Sequence, residues 1–270
     1  MRTSSSSCAG NHNVRRLLIG FLWLPMVALS ADRPNIVLVM CDDLGWGDVG
    51  FNGNKVIRTP HLDAMAKRSL RFERFYAAAP VCSPTRGSCI TGRHPYRYGV
   101  YFANTGHMKP EELTLAELLK KHGYATGHFG KWHLANDMIP DSPPPSQYGF
   151  DVYGAFNCSG KQMAVHEDAK NAISFIEKSH RSSTPFFINL WLHEPHTPFH
   201  TVPKYRQRFP GLKERDNIYA SVLSHADDRV GEVLAALDRL NLTDQTLVIF
   251  SSDNGPARAG RGARLESMYD

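Results

Sequence analysis

The sequence is poor in cysteine, has no Cys-x-x-Cys pair, and has no apolar run long enough to span a bilayer comfortably. It contains five cysteines in 270 residues. Only Cys41, Cys82, Cys89 and Cys158 lie beyond residue 31. Disulfides therefore cannot be the main source of stability, and a thiol redox motif or zinc ribbon is excluded. His193-Glu194-Pro195-His196 is not a His-Glu-x-x-His helix motif, which removes the zinc-protease reading. Charge of one sign is also scarce. The formal net charge is +5 (31 basic, 26 acidic). Arg2, Arg15 and Arg16 lie in a leader without acidic residues; the remainder has 28 basic residues against 26 acidic ones. A body this near neutrality argues against a dedicated nucleic-acid binder. At 42% hydrophobic and 21% charged, the composition is that of a globular chain. No internal repeat is visible, and Asp141–Pro145 is too short for a domain linker.

The amino terminus reads as an export signal over residues 1–31: Arg15-Arg16, the apolar stretch Leu17–Leu29, then small Ser30-Ala31. Residues 32–270 are the candidate catalytic domain. Asn35–Cys41, Pro185–Leu192 and Thr246–Ser251 are continuous apolar runs, the signature of parallel strands buried on both faces. Apolar spacing predicts helices over Leu113–His122, Ala169–Lys178 and Tyr219–Leu240. Strands alternating with helices imply an α/β layered fold with a mostly parallel sheet, whose ligands gather at the carboxyl ends of the strands.

Two of those strands run into acidic pairs, Asp42-Asp43 and Asp253-Asn254. Either pair alone could cap a helix or build a turn. Together they offer the oxygen donors that a hard divalent cation prefers. Cys82-Ser83-Pro84-Thr85-Arg86-Gly87 places proline where a helix begins. Cys82 at that helix start, one turn before Arg86, is a candidate thiolate nucleophile or a buried small apolar residue. A Cys82–Cys89 bridge would require the segment not to be helical, since seven residues of helix span about 10 Å. Asn157-Cys158-Ser159 and Asn241-Leu242-Thr243 match the glycosylation triplet. His122 and His180, at ends of expected helices, are read as solvent-facing.

Cys82-x-Pro84-x-Arg86 resembles the signature of type I sulfatases, formylglycine-dependent and arylsulfatase-like members of the alkaline phosphatase superfamily. Arg33–Val37 leading into Asp42-Asp43-Leu44-Gly45, Gly130-Lys131-Trp132-His133 and Ser252-Asp253-Asn254-Gly255 resemble further motifs of that family, in the same order. The resemblance implies an alkaline-phosphatase-like fold and hydrolysis of sulfate esters, aryl or carbohydrate. It implies that a formylglycine-generating maturation system oxidises Cys82 to the aldehyde. One hydroxyl of the aldehyde hydrate would attack sulfur, and the other would expel sulfate. It further implies one Ca2+ held by Asp42, Asp43, modified Cys82, Asp253 and Asn254. Arg86 would hold the formylglycine. Lys131 would face sulfate, with His133 as base in the elimination step. His196 would bind or protonate the leaving oxygen, leaving His193 a supporting part. A lysine expected after Asp-Asn-Gly is missing, and Arg261 or Arg264 is the nearest cation. The resemblance also implies further catalytic-domain structure and a smaller carboxy-terminal domain, and the sequence as it stands is expected to be only the leading part of such an enzyme. Alternatives are a phosphate or phosphonate ester hydrolase, or an inactive anion-binding relative. An exported product without stable membrane insertion is expected.

Overall fold

A computed structural model describes residues 33–135, 143–157 and 166–256. The export signal, Cys158 of the first glycosylation triplet and the Arg261–Arg264 stretch lie outside the described residues. Five strands, β1 (Asn35–Cys41), β2 (Ala125–Lys131), β3 (Val152–Phe156), β4 (Phe186–Trp191) and β5 (Thr246–Ser252), form one parallel sheet in the order β3-β2-β4-β1-β5. The helices are α1 (Pro60–Lys67), α2 (Cys82–Thr91), α3 (Pro95–Tyr98), α4 (Leu115–Lys121), α5 (Asp168–Arg181), α6 (Pro203–Arg206) and α7 (Glu214–Arg239).

In β1 and β4 the continuous apolar runs work as expected, because successive residues serve opposite faces, whereas β5 is corrected to an edge strand whose Leu247 and Ile249 are exposed. Val37, Val39, Ile188 and Leu190 enter a core shared with α5 and α7. Leu38, Met40, Phe187 and Trp191 enter a second core with α2, α3 and α4. Each fully buried aliphatic side chain contributes about 1.5–3 kcal/mol. Local chemistry sets the helix limits. Thr114 Oγ accepts from Glu117 N–H while the Glu117 carboxylate accepts from Thr114 N–H, a reciprocal cap that starts α4. Gly92, at φ 66°, stops α2. His122 and His180 are exposed, as read from the sequence.

β2 and β3 were not legible as apolar runs. Gly127, His128, Gly130 and Lys131 interrupt β2, and yet six of its seven residues are buried. Gly130 is required there: at φ 108°, a Cβ would lie 2.0 Å from the Trp191 carbonyl oxygen of β4. His128 is fully buried, its ring centroid 5.0 Å from that of Trp132 and 5.1 Å from that of Trp191. Burial, with Arg86 nearby, pushes the imidazole down to about 3. The native ring thus refuses a proton that the unfolded chain accepts below about 6.5, so its contribution is intact above that pH and falls by about 1.4 kcal/mol per unit beneath it. An NMR titration should find His128 uncharged at pH 5; a midpoint near the ordinary value would mean that the ring is hydrated.

Candidate active site

The carboxyl ends of β1 and β5 lie side by side, with Cys41 in register with Ser252. The two acidic pairs that follow are thereby brought together from opposite ends of the chain. Asp253 N–H donates to the Cys41 carbonyl at 3.1 Å, and Asp43 N–H donates to Asp253 Oδ1 at 3.1 Å. Asn254 Nδ2 donates to Asp43 Oδ1 at 2.6 Å. β2 delivers Lys131, whose ammonium pairs with Asp42 Oδ2. The turn after β4 delivers His196, with Nε2 3.6 Å from Asp43 Oδ2. Asp43 (φ 63°) and His133 (φ 54°) both adopt left-handed backbone, an unfavourable conformation for such residues.

Cys82 is the first residue of α2, as the proline spacing predicts, and it is buried. Both Cys82 and Cys89 are free thiols on one continuous helix, which disposes of the bridge. The thiolate expectation is corrected. Burial, reinforced by Asp42 and Asp253, pushes the Cys82 thiol up to about 12 and outweighs Lys131 and Arg86. An unmodified Cys82 is therefore a neutral thiol at physiological pH.

Arg86, fully buried, donates from Nε and Nη2 to Asp253 Oδ2 at 3.0 and 2.7 Å and from Nη1 to the Lys131 carbonyl at 3.2 Å. Its guanidinium carbon lies 5.1 Å from the Trp191 ring centroid. Arg86 thus braces Asp253, with both Asp253 oxygens engaged. Burial would raise the Asp42 carboxyl, but Lys131 and Arg86 hold it well below the usual range.

His133 is buried and pushed down to about 3 by burial and by the nearby Lys131 and Arg86 charges. Its Nε2 lies 2.9 Å from Asn104 Oδ1, an acceptor, so the proton sits on Nε2. Nδ1 is a buried lone pair with no hydrogen-bond partner among the described residues. Asn104 escaped sequence reading because it belongs to none of the recognised motifs. Asn157, the first glycosylation candidate, accepts the His133 amide at 3.0 Å and is thus tied to the site. His193 is buried with Nδ1 3.9 Å from Asp42 Oδ2 and Nε2 donating to the Pro198 carbonyl at 3.1 Å.

One potential ligand atom from each of Asp42, Asp43, Cys82 and His196 falls within 4.8 Å of the others. Asn254 Oδ1 is a buried oxygen without a hydrogen-bond donor among the described residues, and Asp42 Oδ1 has no hydrogen bond there, with only the Arg86 Nη2 ion pair at 3.4 Å beside it. Three carboxylates face two side-chain cations, leaving one formal negative charge. Oxygen-rich donors, orphaned acceptors and residual negative charge fit a hard divalent cation.

A family model, Sulfatase, matches residues 34–269. The chain belongs to the sulfatase family. It shares 32% identity over 291 residues with N-acetylgalactosamine-6-sulfatase of Mus musculus, covering 90% of this chain and 54% of the relative. The ulvan-active sulfatase of Formosa agariphila is 31% identical, with 86% and 52% covered. The crystal structure of Ps i-CgsB superposes with a TM-score of 0.76 at 30% identity, covering 86% of this chain and 63% of that one. The sulfatase fold is thus the alkaline-phosphatase-like one expected from the sequence. The chain spans about half the length of the curated relatives it matches. Among the described residues, no helix is long and apolar enough to cross a membrane.

Proposed function

We propose that the protein hydrolyses sulfate monoesters of carbohydrates, consuming water and releasing an alcohol, inorganic sulfate and a proton. The convergence of Cys82, Asp42, Asp43 and His196 at one sheet edge carries this reading, and the sulfated-carbohydrate names of the relatives support the substrate class. Because the thiol is neutral, the reading places the nucleophile on a Cys82 oxidised to formylglycine by a maturation system. The leader supports export as its route.

Asp42, Asp43, Asn254 and the Cys82 position would hold a divalent cation, which we take to be Ca2+, with Asp253 completing the set once it turns from Arg86. Such an ion supplies charge neutralisation and a lowered hydroxyl pKa. The chain's own groups do the rest. The free Nδ1 of His133 accepts a proton, and its depressed basicity keeps that atom available. The Thr197 carbonyl can only accept, so the proton of neutral His196 is on Nδ1. Charged, His196 carries a second proton on Nε2 to give to the leaving oxygen. Lys131 sets a positive charge beside Asp42, where it can meet the sulfate.

A comparison of kcat/KM on the sulfate and phosphate esters of one sugar tests the reaction class; a preference for phosphate would overturn it. Ca2+ should also stabilise the fold. At 100 times its Kd it adds about 2.7 kcal/mol, roughly 5–10 °C in melting temperature for a domain of this size. A melt unchanged by Ca2+ and by EGTA would remove the cation from the reading.

A further inference from the structure

We propose a second metal site, for a borderline cation of the Zn2+ type, formed by His166, Glu194 and His225. One ligand atom of each lies within 4.8 Å of the others. The cluster shares no residue with the oxygen-rich site, and its donors differ in kind: two imidazole nitrogens and one carboxylate oxygen. That set suits zinc and its first-row neighbours rather than calcium.

Glu194 is the strongest indication. It is 1% exposed. Its Oε2 is taken by Arg229, while Oε1 is buried without a hydrogen-bond partner among the described residues. An ionised carboxylate oxygen left this way is costly unless something positive meets it. His166 Nε2 stands 3.8 Å away from Oε1 and 3.2 Å from the His200 carbonyl. Nδ1 of His225 is likewise buried and unpartnered among the described residues. The His225 ring lies between Tyr205, stacked at 4.5 Å, and His166, edge-on at 4.6 Å. Burial lowers the basicity of both imidazoles, that of His225 to about 4, so both are neutral at pH 7. His166 donates its Nε2 proton to the His200 carbonyl, so it meets a metal through the Nδ1 lone pair or by giving up that hydrogen bond.

The surroundings match what ligands of a metal require. Arg229 holds Glu194 through Oε2 and donates to Asp168 Oδ1 at 2.7 Å, so the ligating carboxylate is oriented from behind. His166, with a side chain 34% exposed, provides the way in. Bonds of about 2.0–2.2 Å in a tetrahedral site place ligand atoms roughly 3.3–3.5 Å apart. With separations of up to 4.8 Å, the three donors must therefore draw together by up to about 1.5 Å. A fourth position would be left for water.

The site would act on the catalytic loop. Glu194 lies between His193 and His196, and its carbonyl accepts the Asp42 amide at 3.2 Å. A metal on Glu194 would hold the turn that carries His196 and the start of the acidic pair. The proposal stands on this geometry and is independent of the sulfate-ester reading.

Calorimetric titration of Zn2+ into the purified protein, with excess Ca2+ present, tests it. One equivalent should bind to the wild type and to Cys82→Ala, and His166→Gln and His225→Gln should each lose it. Co2+ in place of Zn2+ should give visible absorption bands of tetrahedral intensity in the wild type and in Cys82→Ala, and in neither histidine variant. His166 is partly exposed, so its variant keeps the fold and decides the matter if the His225 variant does not. Absence of zinc binding in the wild type overturns the proposal, as does binding that survives His166→Gln or disappears with Asp43→Asn.

Discussion

Cys82→Ala is expected to lower kcat by on the order of 10^4 or more while leaving the melting temperature within a few degrees of wild type. The two halves of this expectation have separate causes. The side chain is small, so truncating it removes little packing even though it is buried. Chemically, no other group takes its place: Lys131 is paired with Asp42, and the described histidines around the acidic cluster offer ring nitrogens rather than an attacking oxygen. Cys82→Ser is the sharper variant. A single hydroxyl can attack sulfur but has no second hydroxyl with which to expel the sulfate, so a covalent adduct should accumulate and be visible by mass spectrometry. Wild type from a host lacking the maturation system should be as inactive as Cys82→Ala, because burial keeps the thiol neutral. Retained turnover in Cys82→Ala, measured as sulfate release in single-turnover and steady-state assays, would remove Cys82 from the chemistry.

Arg229→Met is expected to produce the largest loss of stability, about 3–5 kcal/mol, or on the order of 10 °C in melting temperature. Arg229, on α7, is 2% exposed and bridges Asp168, the first residue of α5, and Glu194, in the turn after β4. Methionine fills the space but leaves two buried carboxylates facing each other without a cation. Burial already raises Asp168 to about 7 despite Arg229. Without the guanidinium, the native state should bind protons more tightly still. An acid whose folded pKa lies above its unfolded value loses stability as pH rises between the two. The variant should therefore melt lower at pH 8 than at pH 5.5, with a wider gap than wild type. A pH-independent deficit would assign the loss to packing instead.

The buried strands β1 and β4 could be read from the sequence because parallel strands covered on both faces have no room for alternation; β5 was found by the same apolar run, although it lies at the sheet edge with Leu247 and Ile249 exposed. β3 could not, since Val152, Tyr153 and Gly154 are exposed at the sheet edge and give no apolar run. β2 stayed hidden because its burial is achieved by glycines and a histidine rather than by aliphatic side chains. The acidic pairs, Cys82, Arg86, Lys131, His133 and His196 were legible because each sits in a short motif, and the strand ends bring them to one place. The contacts of Arg86 and Lys131 were not, because ion-pair partners are chosen in three dimensions. The same holds for Asp168, Glu194 and Arg229, which are scattered over more than 60 positions. No local pattern announces a triad assembled from two helices and a turn.

The pairing of β1 with β5 also says something about time. Asp43 and Asn254 meet across 211 positions of chain, so the acidic cluster cannot exist until almost all the described chain has been synthesised and the last strand has found the first. Contacts of such long range form late and slowly. Under the proposed function, cation affinity at that cluster would therefore be a clock for completion of the fold: a folding intermediate in which β1, β2 and β4 have already paired would still be blind to the proposed calcium.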